Sequence, residues 1–494
     1  MLEAAPHPGG AVWSEELTAP GFRNDVFSAF YPFTVASPIM RRLELERHGL
    51  AWTHATHVLA HPRRDAPAAV LDRDLNVTVD SLERGAVGDG ASFRAMYASW
   101  CKVAQPLIDA LLSPFPPVRA GARLAVRAGH RGLRDLARLS LLPLRRFVIE
   151  EFEGEAARLL LAGSALHADL TPETAGSALF GWLLTCLGQE HGFPVPVGGA
   201  GRLTDALVGR ATSRGVTITC DRRVDRVDVD GRRRATGVTV DGGERHDARW
   251  AVLADCDVQH LMLRMVGTEH LPADTVRRVG RVQRSAATFK VDWALRTPIP
   301  WSDPLASQAG TVHIAEDLDE LSVTATELAI GRVPAGPFLL VGQMTTSDAG
   351  RSPPGTESAW AYTHVPATPT TDARGGSWSG AWDDDACGRF TERVEARIEA
   401  LAPGFGSRIL ARHVLSPNDL EARNANLVGG DISGGTAQLH QQLFFRPIPG
   451  WARAETPVRR LYLASASAHP GGAVHGAPGS NAARAAILHR RLRR

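Results

Sequence analysis

Two segments at opposite ends of this chain carry nearly the same residues. His7-Pro8-Gly9-Gly10-Ala11-Val12 and His469-Pro470-Gly471-Gly472-Ala473-Val474 each join an imidazole to a Pro-Gly-Gly turn. Glycines have no Cβ, so backbone N–H groups in such a turn can come close to an electron-rich ligand. Two such loops suggest one extended ligand held from both ends. Other chemistries lack their signatures: there is no HExxH pair, nucleophile elbow, Walker phosphate loop or Asp-Phe-Gly set. Of the 18 histidines, His469 stands out because it adjoins the C-terminal glycines. It either orients that loop by hydrogen bonding or touches ligand and substrate; His475 is a weaker second. Asp431, in Gly429-Gly430-Asp431-Ile432, is either a general base or a turn aspartate that fixes its own loop.

The elements around these loops are those that position a ligand. Leu461 to Ala464 reads as a buried strand, and Ser480 to Leu488 as an Ala-rich helix with Ser480 as its N-cap. Strand, glycine turn and helix bring a helix N-terminus to the ligand. Met1-Leu2-Glu3-Ala4 reads as the end of another strand. Pro196 to Leu207 is a glycine turn feeding a helix. Strands are predicted at Gly215–Thr219, at the alternating Val224, Val227 and Val229, at Gly237–Val240 and at Trp250–Ala254. Between these pieces, Ser92 to Gly188 is mostly helical, with Phe93, Met96, Tyr97, Trp100, Val103 and Leu107 on one face. Arg119 to Arg146 interleaves arginines with leucines. That is either a solvated helix face or a peripheral membrane contact suited to a lipid-soluble substrate. Trp52–Leu75 reads as a hairpin, and Thr288–Leu295, Leu321–Ile330 and Phe338–Gln343 as strands. Ser347–Asp384 is expected to be a long loop whose Trp360, Tyr362, Trp378 and Trp382 line a pocket, followed by a helix at Cys387–Leu401. Phe22, Phe27, Phe30, Tyr31 and Phe33 are either core or a wall beside ligand and substrate.

The totals set the class. A chain of 494 residues with 44% hydrophobic and 22% charged residues is globular and too long for one core. A net charge of +2 gives no reason to expect a nucleic-acid partner. The five cysteines are odd in number and widely spaced, which disfavours a disulfide framework or zinc site and suits a reducing, cytoplasmic setting. No apolar run is long enough to span a bilayer.

A family resemblance joins these observations. Leu2-Glu3-Ala4, Pro8-Gly9-Gly10-Ala11, Gly21-Phe22, Gly198-Gly199-Ala200-Gly201, Gly429-Gly430-Asp431-Ile432, Arg446-Pro447, and His469-Pro470-Gly471-Gly472 through Asn481-Ala482-Ala483 resemble the FAD-dependent phytoene desaturase-like oxidoreductases. Within them the chain is most similar to the branch of pyridine nucleotide-disulfide oxidoreductase domain-containing protein 2. The resemblance implies an α/β protein: a discontinuous, Rossmann-like FAD domain with an inserted helical and mixed α/β substrate portion. FAD pieces are expected at 1–90, 190–256 and 417–494, a helical lid at 91–189 and a substrate domain at 257–416. The resemblance puts Glu3 on the FAD ribose and the Val227 backbone behind the adenine. It puts Pro8, Gly9, Gly10, Ala11, Gly471, Gly472, Ala473, Val474 and Asn481 along the cofactor. No metal is implied. The implied reaction is hydride transfer to or from flavin N5 at a carbon–carbon bond of an apolar, isoprenoid or polyene-like small molecule. Flavin chemistry needs no side-chain nucleophile, so the absence of one is consistent. A redox-neutral flavin isomerase and a non-catalytic FAD-fold binding protein are the alternatives. In such a fold a strand, a Gly-x-Gly-x-x-Gly turn and a helix should precede Glu3 by about 20 residues. The sequence does not contain them. A misplaced start, with a valine codon read as Met1, explains this; a true truncation is the alternative.

Overall fold

In a strand, neighbouring residues point to opposite faces, so a sheet covered on both sides can carry two different chemistries in alternation. The centre of this protein does so. The computed structural model describes residues 1–492. Its largest sheet has seven strands in the order Ile409–Leu415, Ala287–Leu295, Glu357–Val365, Leu339–Gln343, Ala309–Ile314, His57–His61 and Ala69–Leu71. All neighbours are antiparallel except Ala309–Ile314 with His57–His61. One face is apolar: Phe289, Val291, Trp293, Val312, Leu339, Val341 and Ala361 are buried in one cluster. The helix Asp384–Glu399 packs there through Phe390, Val394 and Ile398. Register puts the opposite residues on the other face: Lys290 faces Tyr362, Asp292 faces Trp360, and Thr288 faces His364. His313 and Leu340 are paired on that same face. Helices Asp89–Leu112, Glu155–Ala165 and Ser177–His191 cover it through Phe93, Trp100, Leu159, Leu160 and Trp182. Each fully buried large side chain contributes about 2–3 kcal/mol.

The second region is built from distant pieces of chain. Val252–Ala254 pairs in parallel with Leu461–Leu463. Leu2 forms a parallel bridge to Thr219. A three-stranded antiparallel sheet, Val224–Val229, Ala235–Val240 and Arg245–Asp247, lies alongside. Val227, Ala254, Leu461, Leu463 and Met262 share its core.

Several local expectations change. The segment expected as a strand at Leu321–Ile330 is the helix Leu318–Ala329. Asp317 caps it by accepting from the Glu320 N–H at 2.7 Å, which outweighs the β-branched Val323, Thr324 and Thr326. The expected loop at Ser347–Asp384 contains the nine-residue strand Glu357–Val365, because its neighbours on both sides supply a ladder. The final helix starts earlier than the Ser480 cap, at Ala477, behind Gly476 in the left-handed conformation and with Pro478 in its first turn. Among the described residues, no helix is long and apolar enough to cross a membrane.

Candidate functional site

The C-terminal glycine loop is held from below by one arginine. Arg446 is 1% exposed, and its guanidinium donates to the carbonyls of Thr436, Ser433, Gly434 and Ala466 at 2.8–3.2 Å. Burial pulls its pKa down to about 10, with Asp431 and Asp169 acting in the opposite direction. Gly471 lies against this guanidinium at φ +117°; a Cβ there would sit 3.2 Å from Cζ. Gly472 is equally close to Ser433, where a Cβ would meet the carbonyl oxygen at 3.1 Å. Asp431 acts as a loop-fixing turn residue. It accepts from the Ser285 hydroxyl at 2.5 Å and from the N–H groups of Ser433 and Gly435 at 2.8 and 2.7 Å.

His469 and Asn481 share one feature. His469 Nε2 donates to the Ser113 carbonyl at 3.1 Å, and its buried Nδ1 has no partner. Asn481 Nδ2 donates to the Leu112 carbonyl at 3.5 Å, and its buried Oδ1 has no partner. Burial lowers the His469 pKa, so the ring is neutral near pH 7 and Nδ1 is an acceptor. His475 is held further down, to about 4, chiefly by burial, and its Nδ1 accepts from the Ala477 N–H. Val474 and Ala473 complete the loop: Ala473 has φ 85°, and the Val474 carbonyl accepts from the Thr34 hydroxyl.

The N-terminal loop reaches the same neighbourhood. Val12 and Val474, equivalent valines of the two Pro-Gly-Gly segments, pack against one apolar cluster around Tyr31, Met40 and Leu203. Gly9 (φ +134°) and Gly10 (φ +54°) form a turn in which Val12 N–H donates to the Gly9 carbonyl. The Pro8 carbonyl faces the His7 ring, which stacks on Trp13 at 3.6 Å. The Ala11 carbonyl accepts from the Ser28 N–H. Glu3 is placed apart from both loops. Its Oε1 accepts from the Ala5 N–H at 2.9 Å, and its backbone pairs with Thr219. Asp255 follows the strand Val252–Ala254; its side chain is exposed, yet the protein packed around it, together with the Glu3 charge, pushes its pKa up to about 6. Val227 is buried in the adjoining sheet, opposite Val238.

A second group of residues lies on the polar sheet face: Phe30, Trp360 and Tyr362, expected beside ligand or pocket, together with Phe193, His167, His313 and His364, which the sequence did not single out. They form a connected chain of aromatic contacts, His364–Tyr362–Trp360–Phe30–Phe193–His167–His313, with centroids 5.0–6.3 Å apart. His167 Nε2 and His313 Nε2 are 2.9 Å apart. Burial, before the neighbouring His364, drives the His167 pKa to about 3, so both rings are neutral and one donates to the other. Tyr362 and His167 stay only partly buried, and the Tyr362 hydroxyl makes no hydrogen bond among the described residues. Beside them Lys290 is 3% exposed; its Nζ donates to the Asp25 carbonyl at 2.9 Å and to both Asp292 oxygens at 2.6 Å. Burial pushes Asp292 up to about 6 against the pull of Lys290. The signal in the sequence was Lys290 and Asp292, His313, and Tyr362 and His364 at alternate positions of otherwise apolar strands. Trp378 and Trp382, expected to line a pocket, instead fill the apolar face.

This architecture is that of the FAD-dependent oxidoreductases. A solved oxidoreductase from Methanosarcina mazei superposes with a TM-score of 0.61 over 99% of this chain and 93% of that one, at 15% identity. No protein-family model matches the chain. Rat pyridine nucleotide-disulfide oxidoreductase domain-containing protein 2 is 30% identical over 518 residues, 96% of this chain and 86% of the rat protein. The chain belongs to that family. A lycopene-forming phytoene desaturase of Paracoccus is 25% identical over 308 residues, 62% of this chain and 57% of the desaturase.

The residues present fit two ends of FAD. The orphaned atoms of His469 and Asn481 are both acceptors, and FAD offers ribityl hydroxyls and an isoalloxazine N–H as donors. Glu3 and Asp255 are carboxylates suited to ribose hydroxyls rather than to phosphate. Among the described residues, no strand pairs with both Leu2 and Val252–Ala254, and no Gly-x-Gly-x-x-Gly turn adjoins them.

Proposed function

We propose that this chain is a FAD-dependent oxidoreductase that adds or removes hydrogen at a carbon–carbon bond of an apolar, isoprenoid or polyene-like substrate. The observation that carries this reading is the pair of orphaned acceptors, His469 Nδ1 beside the glycine loop and Asn481 Oδ1 on the helix that follows it, with Gly471 and Gly472 between them so close to their neighbours that a Cβ would meet them at 3.1–3.2 Å. When bound, FAD supplies the centre that accepts or donates the hydride. The chain's own residues do the rest. The loops around Gly9–Gly10 and Gly471–Val474 flank the cofactor, Glu3 takes the ribose, and the Val227 strand backs the adenine. The aromatic line of Phe193, Phe30, Trp360 and Tyr362 holds an apolar substrate and keeps water out. The Tyr362 hydroxyl and the neutral His167–His313 pair are the polar groups that orient it. Similarity to a phytoene desaturase supports the substrate class.

The test begins with the purified protein and its visible spectrum before and after added FAD. A flavin spectrum, followed by anaerobic bleaching with an isoprenoid or recovery of colour from the reduced state with a polyene, is the expected result. Folded protein that stays colourless with excess FAD refutes the cofactor reading. Bleaching by primary amines but by no isoprenoid refutes the substrate class. A double-bond shift with no change in flavin colour identifies the isomerase instead.

A further inference from the structure

The helix Val118–Leu139 is attached to the protein in an unusual way. Of its 22 residues only Ala120 is buried. It carries Arg119, Arg123, Arg127, Arg131, Arg134 and Arg138 against a single acid, Asp135. A break at Gly129 (φ 63°, ψ 179°) divides it in two: Arg119, Arg123 and Arg127, at four-residue spacing, share one side of the first part, and Arg131, Arg134 and Arg138 lie on the second. Arg123 pairs with Asp109, Arg134 with Asp135 and Arg138 with Glu150. Arg119, Arg127 and Arg131 make no ion pair among the described residues and project into solvent. Apolar side chains stand between them: Val118 is 72% exposed, Val126 82%, Leu133 39% and, just past the helix, Leu141 67%. Val118 and Val126 lie among the arginines of the first part, and Leu133 among those of the second. Gly121, Leu124, Ala128, Gly132 and Leu136 form the inner side.

Three kinds of partner could meet an arginine-rich face. A second copy of this helix would bring like charges together. A nucleic acid would pair with the arginines but leave the valines and leucine between them facing phosphate and water. An anionic lipid surface satisfies both sets at once: guanidinium groups reach the headgroups while the exposed valines and leucine between them enter the acyl boundary. We propose that this helix lies in the plane of an anionic membrane surface and docks the protein there reversibly. The turn that leads into it brings the same surface close to the candidate site. Phe115 in that turn meets Phe444, itself 45% exposed, with ring centroids 5.9 Å apart, and meets His469 at 6.2 Å.

The experiment is co-sedimentation of the full chain with vesicles of phosphatidylcholine, with and without phosphatidylglycerol. Binding is expected only with the anionic lipid and should weaken with salt. An Arg119→Gln, Arg127→Gln, Arg131→Gln variant should bind on the order of 100-fold more weakly, about a factor of five for each arginine. Val126→Ser with Leu133→Ser should lower binding further at every salt concentration. All five side chains are solvent-facing, so circular dichroism and melting temperature should match those of the unsubstituted protein. Failure to bind anionic vesicles overturns the proposal, as does binding that neither variant changes. Tighter binding to duplex DNA than to vesicles, tested in the same buffer, also overturns it and assigns the face to nucleic acid. Flavin content plays no part in these readouts, so the outcome is independent of the reading of the cofactor site.

Discussion

Replacing Arg446 should damage the candidate site more than any surface change could. Its guanidinium serves four carbonyls, those of Ser433, Gly434, Thr436 and Ala466, which belong to two loops with no ladder between them. A buried polar group left without a partner costs about 1–3 kcal/mol. Carbonyls tolerate this better than N–H groups, and water can enter at the loop edges, so the low end applies. Four acceptors then give about 4 kcal/mol for Arg446→Met, which keeps most of the buried volume. Arg446→Lys should recover only part of this, because an ammonium presents three donors without the planar fork. Chemical denaturation gives the free energy, and the flavin absorbance of protein loaded with FAD reports the loop directly. The loss of flavin retention should exceed what the global destabilisation accounts for, since Gly471 rests on the guanidinium. If Arg446→Met unfolds within about 1 kcal/mol of the unsubstituted protein and keeps its flavin, the arginine does not organise the loop.

Two further outcomes follow from buried polar groups. Glu357 is 1% exposed and accepts from the Thr345 and Thr346 N–H groups, yet burial raises its pKa from 4.5 to about 7. A raised folded-state pKa means that its contribution is full below the unfolded value and is lost as pH rises through the folded one. Glu357→Gln should therefore abolish a decline of about 3 kcal/mol in unfolding free energy across that window, leaving a variant more stable than its parent above about pH 7. Denaturation curves at several pH values check this, and parallel pH profiles for the two proteins would contradict it. Tyr362→Phe removes a hydroxyl with no hydrogen-bond partner among the described residues, so stability should change by less than about 0.5 kcal/mol. Turnover or KM for an apolar substrate should change several-fold, and unaltered kinetics would remove Tyr362 from the site.

The conformation of the two glycine loops was legible because its signals are local. Glycines with positive φ at Gly9, Gly10 and Gly471 are conformational requirements, and they show as Gly-Gly pairs in the sequence. The alternating valines at 224, 227 and 229 gave a strand because that sheet has one covered face. On the proposed substrate side, Phe30, Trp360 and Tyr362 were picked out but His167, His313 and His364 were not, because their signal is relational. His313 and Tyr362 stand 49 positions apart in the chain, and only the register of three strands puts them on one face. Buried strands of this kind have no polar–apolar contrast with solvent to mark which side matters, so Trp360 and Tyr362 could not be told apart from Trp378 and Trp382. The helix at Leu318–Ala329 was misread for a different reason. Its cap and its three-residue spacing of Leu318, Leu321 and Thr324 compete with a β-branched composition, and tertiary packing decides between them.

The joining of two remote loops also constrains how the protein is made. The Thr34 hydroxyl bonds to the Val474 carbonyl across 440 positions. While the intervening chain is still being synthesised, Tyr31, Met40 and Leu45 have no Val474 to cover them. Synthesis proceeds at about 5–20 residues per second, so this apolar surface stays open for tens of seconds on the ribosome. The seven-stranded sheet draws its last strand from Ile409–Leu415 and can close sooner. The two Pro-Gly-Gly loops are thus among the last parts of the molecule to come together, and until then the apolar surface between them is exposed to whatever the nascent chain meets.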